Sequence, residues 1–303
     1  DRDRDRLADR CSAVARVLPA VLLRRRLPVS VFAAERDCWV GGAADDTLVD
    51  ADHLTVATFN VWNKAFFAGQ RYRALAGLLA QDPCDVMVFQ EVTDEVRSVL
   101  LSQPWVRERY RCAGVVGGRT GGYGMLLLSR LPIAGVTFSR LPSRRRRSFL
   151  QADLLIDGGP LRICSVHLES GKDGAWLRAW QLRRVFRAVS VDDAVVLGDF
   201  NMRDGEGRWI SSAFRDVWPA LRPRDPGYTE DSDINAMLRD SKKKARLVRF
   251  DRVLLKGDAW RATHIELLGT EPISPELPRV FPSDHFGVRC GLSVASPDVF
   301  TET

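Results

Sequence analysis

Apolar runs of seven to ten residues recur along most of the chain, and between two pairs of them lies a stretch with helical period. LTVATFNVW, CDVMVFQEV, YGMLLLS, SFLQADLLI, LRICSVHL, AVVLGDF, VRFDRVLL and HFGVRCGLSV are rich in β-branched and large apolar residues, which predicts buried strands. Arg71 to Leu79 places Leu75, Leu78 and Leu79 on one helical face, and a longer helical stretch runs from Ala175 to Val189. Many strands with interspersed helices, but without strict strand–helix repeats, predict an α/β fold with mixed rather than fully parallel sheets.

The first 50 residues read differently. DRDRDRLADR alternates charge, the stretch to Arg26 has the pattern of a basic amphipathic helix, and Gly41-Gly42-Ala-Ala-Asp-Asp reads as a linker. The expected organisation is an N-terminal extension over 1–50, a main domain over 51–295 that stands by itself, and a tail over 296–303. No run reaches the roughly 18 to 20 apolar residues of a membrane span, so no membrane association is expected. The chain is 303 residues long, with a formal net charge of +6. That mild excess suits a polyanionic partner without demanding one. Six cysteines stand far apart, with no C-x-x-C pair, which disfavours a zinc site or disulfide scaffold. The expected setting is intracellular, nuclear or cytoplasmic, and the expected state monomeric.

The polar residues carry more information than the apolar ones. Strand after strand ends in an acid or an amide: Asn60 after TFN, Gln90 and Glu91 after VF, His167 and Glu169 in HLES. The same holds for Asp199 and Asn201 in GDFN, Asp251 and Arg252 in FDR, and Asp284 and His285 in SDH. A buried carboxylate is costly, so six such clusters argue for convergence on one site, where strand ends of α/β sheets meet. Carboxylates and amide oxygens with few histidines and no thiolates are hard ligands, suited to Mg²⁺ or Mn²⁺. Together with imidazoles and arginines they suit phosphoryl transfer. No G-x-x-x-x-G-K-[ST] loop is present, which disfavours a nucleotide triphosphatase.

In that order, TFN, QE, HLES, GDFN, FDR and SDH resemble the motif series of the endonuclease/exonuclease/phosphatase superfamily. The resemblance covers roughly His53 to Val294. It implies a DNase I-like four-layer α/β sandwich, two packed mixed sheets flanked by helices, with the site at one edge. It further implies Glu91 as main metal ligand beside Asn60 and Asp284. Asp199 orients or deprotonates the attacking water, Asn201 contacts the phosphate, and His285 holds the scissile phosphate with its ring fixed by Asp251. His167 sits near the phosphate.

Within the superfamily, HLES, GDFNMRD, GYTEDSDIN, IELLG, RFDRVLL and FPSDHFG are most similar to the 5′-tyrosyl-DNA phosphodiesterases. That implies DNA ends with 5′-phosphotyrosyl adducts as partners, Arg203 as a phosphate clamp and Tyr123 along the substrate groove; apart from the resemblance, Arg147, in a basic run at the start of a strand, and Tyr228, as a substitute for the aromatic missing at 230, are also expected near the substrate. A general member acting on another nucleic acid, a sphingophospholipid or an inositol phosphate is the alternative. One position departs from the branch: Glu230 stands where its Y-T-W-D pattern has Trp. A carboxylate cannot stack on a base and repels phosphate. The runs Arg144 to Arg147 and Lys242 to Lys244 read as solvated loops or as a track for a phosphate backbone.

Overall fold

In the computed structural model, residues 24–42, 47–117, 122–157, 159–241 and 244–295 are described. The charged opening, most of the expected N-terminal helix, Lys242, Lys243 and the tail lie outside them. Seventeen strands are formed among these residues. They are β1 Arg24–Leu27, β2 Ser30–Ala33, β3 Cys38–Gly41, β4 His53–Asn60, β5 Val86–Val92, β6 Arg111–Val115, β7 Gly124–Ser129, β8 Ile133–Arg140 and β9 Ser148–Leu154. Next come β10 Leu161–His167, β11 Ala194–Asp199, β12 Phe214–Asp216, β13 Glu230–Asp231, β14 Leu247–Val248, β15 Asp251–Lys256, β16 Trp260–Leu268 and β17 Gly287–Val294. The α-helices are α1 Ala68–Gln81, α2 Asp94–Leu101, α3 Pro104–Arg109, α4 Ala175–Ala188, α5 Val217–Leu221 and α6 Ala236–Ser241.

Two mixed sheets pack face to face. One has the order β1-β8-β9-β10-β11-β15-β12, the other β16-β17-β4-β5-β7-β6-β2-β3, and β13-β14 pair separately. The alternation along single strands explains the layering. Val195 and Leu197 of β11 join the cluster between the sheets, while Val196 faces outward with Leu182 and Val185 of α4. In β4, Val56 faces the other sheet and Ala57 and Phe59 face Leu75 and Leu79 of α1. The four-layer α/β sandwich follows, with every expected strand run and the two helices expected between strands in place.

The halves of the sandwich repeat one device. β4, α1 and β5 form a parallel crossover, and so do β10, α4 and β11, while the remaining ladders are antiparallel. Register then does the positioning: Asn60 lies beside Gln90, His167 beside Asp199, and Asp199 beside Asp251. Gly198 makes the second crossover possible. Its φ is +141°, and a Cβ there would lie 2.1 Å from the Val166 carbonyl oxygen.

The N-terminal stretch departs from expectation. Arg24–Leu27 is a strand, not the end of a helix, and it extends the first sheet by pairing with β8. β2 and β3 extend the second sheet past β6. Residues 24–41 are therefore edge strands of both sheets rather than an appendage. The sequence conceals this because edge strands need only partial burial, and these alternate too weakly to show a period.

Candidate active site

The carboxyl ends of the two parallel pairs open into one cavity of about 710 Å³. Glu91, Tyr123, Arg147, His167, Asp199, Asn201, Asp284 and His285 are all in its wall. Asn60 and Asp251 stand directly behind, each about 1% exposed.

Asp199 is the centre of the first half. Its Oδ2 accepts from Asn60 Nδ2 at 3.0 Å and Asn201 Nδ2 at 3.1 Å, and its Oδ1 accepts from the Asn201 backbone N–H at 2.8 Å. Asn201 adopts φ +51°, a left-handed turn that Asn tolerates better than most residues and that brings its amide back onto the carboxylate. Burial pushes the Asp199 carboxyl up to about 7; Asp251 reinforces this, and the nearby His285 charge only partly offsets it. His167 Nε2 lies 3.4 Å from Asp199 Oδ2 and 3.9 Å from Glu91 Oε1. The Arg147 guanidinium meets the His167 ring at 2.9 Å from Nδ1, and donates to Tyr123 Oη at 3.3 Å and Ser170 Oγ at 3.2 Å. Burial, then the Arg147 charge, holds the His167 imidazole well below its usual range, so it is neutral.

The second half centres on His285. Its Nδ1 meets Asp251 Oδ2 at 2.7 Å, and its Nε2 faces Glu230 Oε1 at 3.5 Å. Burial opposes the charged ring, but Asp251, Asp199 and Asp284 outweigh it and hold the imidazole well above its usual range. The position of Asp251 is itself fixed. Its N–H and that of Phe250 both donate to Thr229 Oγ1, at 3.1 and 3.0 Å. On the other strand, Ser283 Oγ donates to the Asn60 carbonyl at 2.6 Å, tying the SDH loop to the end of β4.

Glu91 is the residue at which the β5–β7 register shifts, between Gln90 and Val92, and it has φ +58°. Its Oε2 accepts from the Asn63 N–H at 3.1 Å, which leaves Oε1 toward the cavity. With Asp284 in the same wall, these oxygens suit a hard divalent cation. Asn60 contributes differently from expectation: its amide oxygen accepts the Trp62 N–H at 3.1 Å and its amide nitrogen serves Asp199. A second acidic group lies close by, with ligand atoms of Glu230, Asp284 and His285 all within 4.8 Å of one another.

Some expected groove residues fall elsewhere. Arg203 is outside the cavity lining, its guanidinium 5.7 Å over the Phe250 ring. Burial, then Arg178 and Arg246, lowers its pKa. Tyr228 is half-buried and also outside the lining. Glu169 of HLES, 1% exposed, does not face the cavity but braces its wall. It accepts Ser143 Oγ at 2.5 Å and the Arg144 N–H at 3.2 Å, fixing the loop that carries Arg144 to Arg147. All four of those arginines line the cavity. Arg252 and Asp204, which end FDR and GDFNMRD, pair at 3.2 Å, and Asp216 joins Arg252 at 2.7 Å. Two residues escaped sequence reasoning. Arg71, buried in α1, donates to the carbonyls of Val61, Trp62, Lys64, Phe66 and Pro282. Arg246, 2.8 Å from Glu230 Oε2, is in the cavity wall. Neither lies at a strand end, which was the available signal.

A family model for the endonuclease/exonuclease/phosphatase family matches residues 57–285. The tyrosyl-DNA phosphodiesterase 2 of Xenopus laevis is 30% identical over 262 residues, covering 81% of this chain and 68% of that protein. The tyrosyl-DNA phosphodiesterase 2 of Homo sapiens is 30% identical over 241 residues, covering 74% of this chain and 64% of that protein. This chain thus spans about two thirds of the length of those relatives. Among solved structures, D. rerio TDP2 complexed with single strand DNA product matches with a TM-score of 0.72 at 24% identity, over 80% of this chain and 100% of that one. That likeness bears on the fold.

Proposed function

The chain belongs to the endonuclease/exonuclease/phosphatase family, and we propose that it is a Mg²⁺- or Mn²⁺-dependent phosphodiesterase that hydrolyses 5′-phosphotyrosyl bonds at DNA ends. One observation carries the reaction type: a buried carboxylate fixed by two asparagine amides, Asp199, shares a cavity with an imidazole held by the Asp251 carboxylate. The names of the relatives at 30% identity support the substrate.

Glu91 and Asp284 would hold the cation, which, when bound, neutralises charge on the non-bridging phosphate oxygens. The chain's own groups divide the remaining work. Asp199, fixed by two amides, orients a water and takes its proton; a base near 7 is matched to that task. His285 presents Nε2–H to the phosphate, while Asp251 keeps the ring oriented and charged. Arg147 and the neutral His167 offer donors to the phosphate from the other wall. A tyrosine phenolate leaves readily, since phenols have a pKa of about 10, so little acid help is needed on the leaving oxygen.

A substrate panel tests this reading. With Mg²⁺ or Mn²⁺, a 5′-phosphotyrosyl oligonucleotide should be cleaved far faster than an abasic duplex or sphingomyelin, and EDTA should stop the reaction. Preference for either of the other substrates overturns the DNA-end assignment, and full activity in EDTA overturns the cation.

A further inference from the structure

We propose that residues 61–67 form a stacking platform for the nucleobases next to the scissile 5′ phosphate, an assignment that rests on the DNA-end reading above. Three aromatics crowd this short loop. Trp62 and Phe66 meet edge to face at 6.3 Å, and Phe66 and Phe67 at 4.8 Å. Phe66 is 50% exposed and Phe67 36%. Adjacent rings left in water are unfavourable for the free protein and mark contact surfaces.

The loop is continuous with the active site. Trp62, Asn63 and Lys64 are part of the cavity wall, and the Asn63 N–H holds Glu91. The platform therefore begins at the reaction centre and leads outward. Arg144, Arg145 and Arg146 line the same cavity. Exposed aromatic faces beside a cationic cavity match single-stranded nucleic acid, whose phosphates take the cations and whose bases take the rings.

The exposure is built in. Trp62 and Phe67 adopt φ +55° and +46°, a region unfavourable for bulky side chains. Phe67 occupies the N-cap of α1 with no side-chain cap bond, where Ser, Thr, Asp or Asn would stabilise the helix. Arg71 holds this conformation by donating to four carbonyls of the loop, and its guanidinium lies 4.8 Å over the Trp62 ring. Tyr72 Oη adds a bond to the Trp62 carbonyl at 3.2 Å. Rings presented by a fixed backbone lose little entropy when a base stacks on them. The platform also accounts for position 230, where a carboxylate paired with Arg246 leaves no ring to stack on.

The test is binding in EDTA, read by fluorescence anisotropy, of a 5′-phosphorylated pentathymidylate and of the same strand with its first two nucleotides abasic. The unaltered protein should bind the full strand about 10-fold more tightly, as stacking of one or two bases implies. In the double variant Phe66→Ser, Phe67→Asn, that preference should fall below about twofold, with the abasic strand bound as before. A melting temperature no lower than that of the unaltered protein checks the fold, since Asn suits both the left-handed backbone and the N-cap at position 67. Equal weakening toward both strands would show a structural role or a contact with the sugar–phosphate backbone and overturn the assignment; so would an undiminished preference. If the unaltered protein cleaves a 5′-phosphotyrosyl strand but binds both probes equally, the platform fails and the DNA-end function stands. If it neither cleaves that strand nor binds the probes, both fail.

Discussion

His167 and His285 line the same cavity, are both buried, and hold opposite charge states. The difference lies in the charges around each ring, with one partner first on each side. Arg147 lies against the His167 ring, and Asp251 against His285. Burial disfavours the imidazolium at both positions, so the surrounding charge decides: Arg147, with the charged His285, adds to the penalty at His167, while Asp251, with Asp199 and Asp284, overcomes it at His285. The site is thereby divided into a neutral donor beside a fixed guanidinium and a charged donor beside a fixed carboxylate. A dianionic transition state between them meets positive charge from both walls, although only one of the two imidazoles carries a proton on each nitrogen.

The largest effect should come from breaking the charged half. His285→Ala should lower turnover by at least ~100-fold, the scale for losing an acid–base or electrostatic group, with the circular dichroism spectrum retained. Asp199→Asn should do the same. Near-normal rates in both variants would place the reaction elsewhere. The neutral half should break differently. Arg147→Met removes the cation, so the His167 resonance in NMR should titrate closer to 6.5, and kcat/KM should fall about 10-fold or more for a lost charged hydrogen bond to substrate. A His167 titration unmoved by that change would leave burial and the His285 charge as the causes of its depression.

Glu230 sharpens the comparison. It is the carboxylate at the Nε2 side of His285, held by Arg246. Glu230→Trp removes a negative charge from the phosphate's surroundings and adds a ring, so KM for a 5′-phosphotyrosyl oligonucleotide should fall by about 1 kcal/mol, or roughly fivefold. A small diester without bases should respond less. An unchanged oligonucleotide KM would put Glu230 off the strand's path.

The smallest effect is on stability, and it has opposite signs for the two rings. The folded pKa of His167 is depressed, so its contribution is present above 6.5 and is lost as pH falls, when the unfolded chain takes up a proton that the folded chain refuses. The folded pKa of His285 is raised, so its contribution is full below 6.5 and is lost as pH rises through the folded value. Melting temperatures across pH should therefore lose part of their acid-side fall in His167→Asn and part of their alkaline-side fall in His285→Asn. Identical profiles in the two variants would contradict the assigned charge states.

The sequence by itself determined the fold class, the order of the buried strands and the residues that end them. Burial on both faces of a central strand forces a continuous apolar run, and any acid that interrupts its end stands out against that background. Asn60, Glu91, His167, Asp199, Asn201, Asp251 and His285 were legible for this reason. Tertiary structure alone decided what touches what. Asn60 and Asp199 are 139 positions apart and bond at 3.0 Å, because the two crossovers lie in facing sheets. The same long-range packing turned Glu169 from a site acid into a brace, moved Arg203 onto Phe250, brought Arg246 to Glu230 and made edge strands of residues 24–41. None of these leaves a local signature. An arginine in a helix, such as Arg71, looks alike whether it faces water or five carbonyls, and only the folded chain supplies the carbonyls.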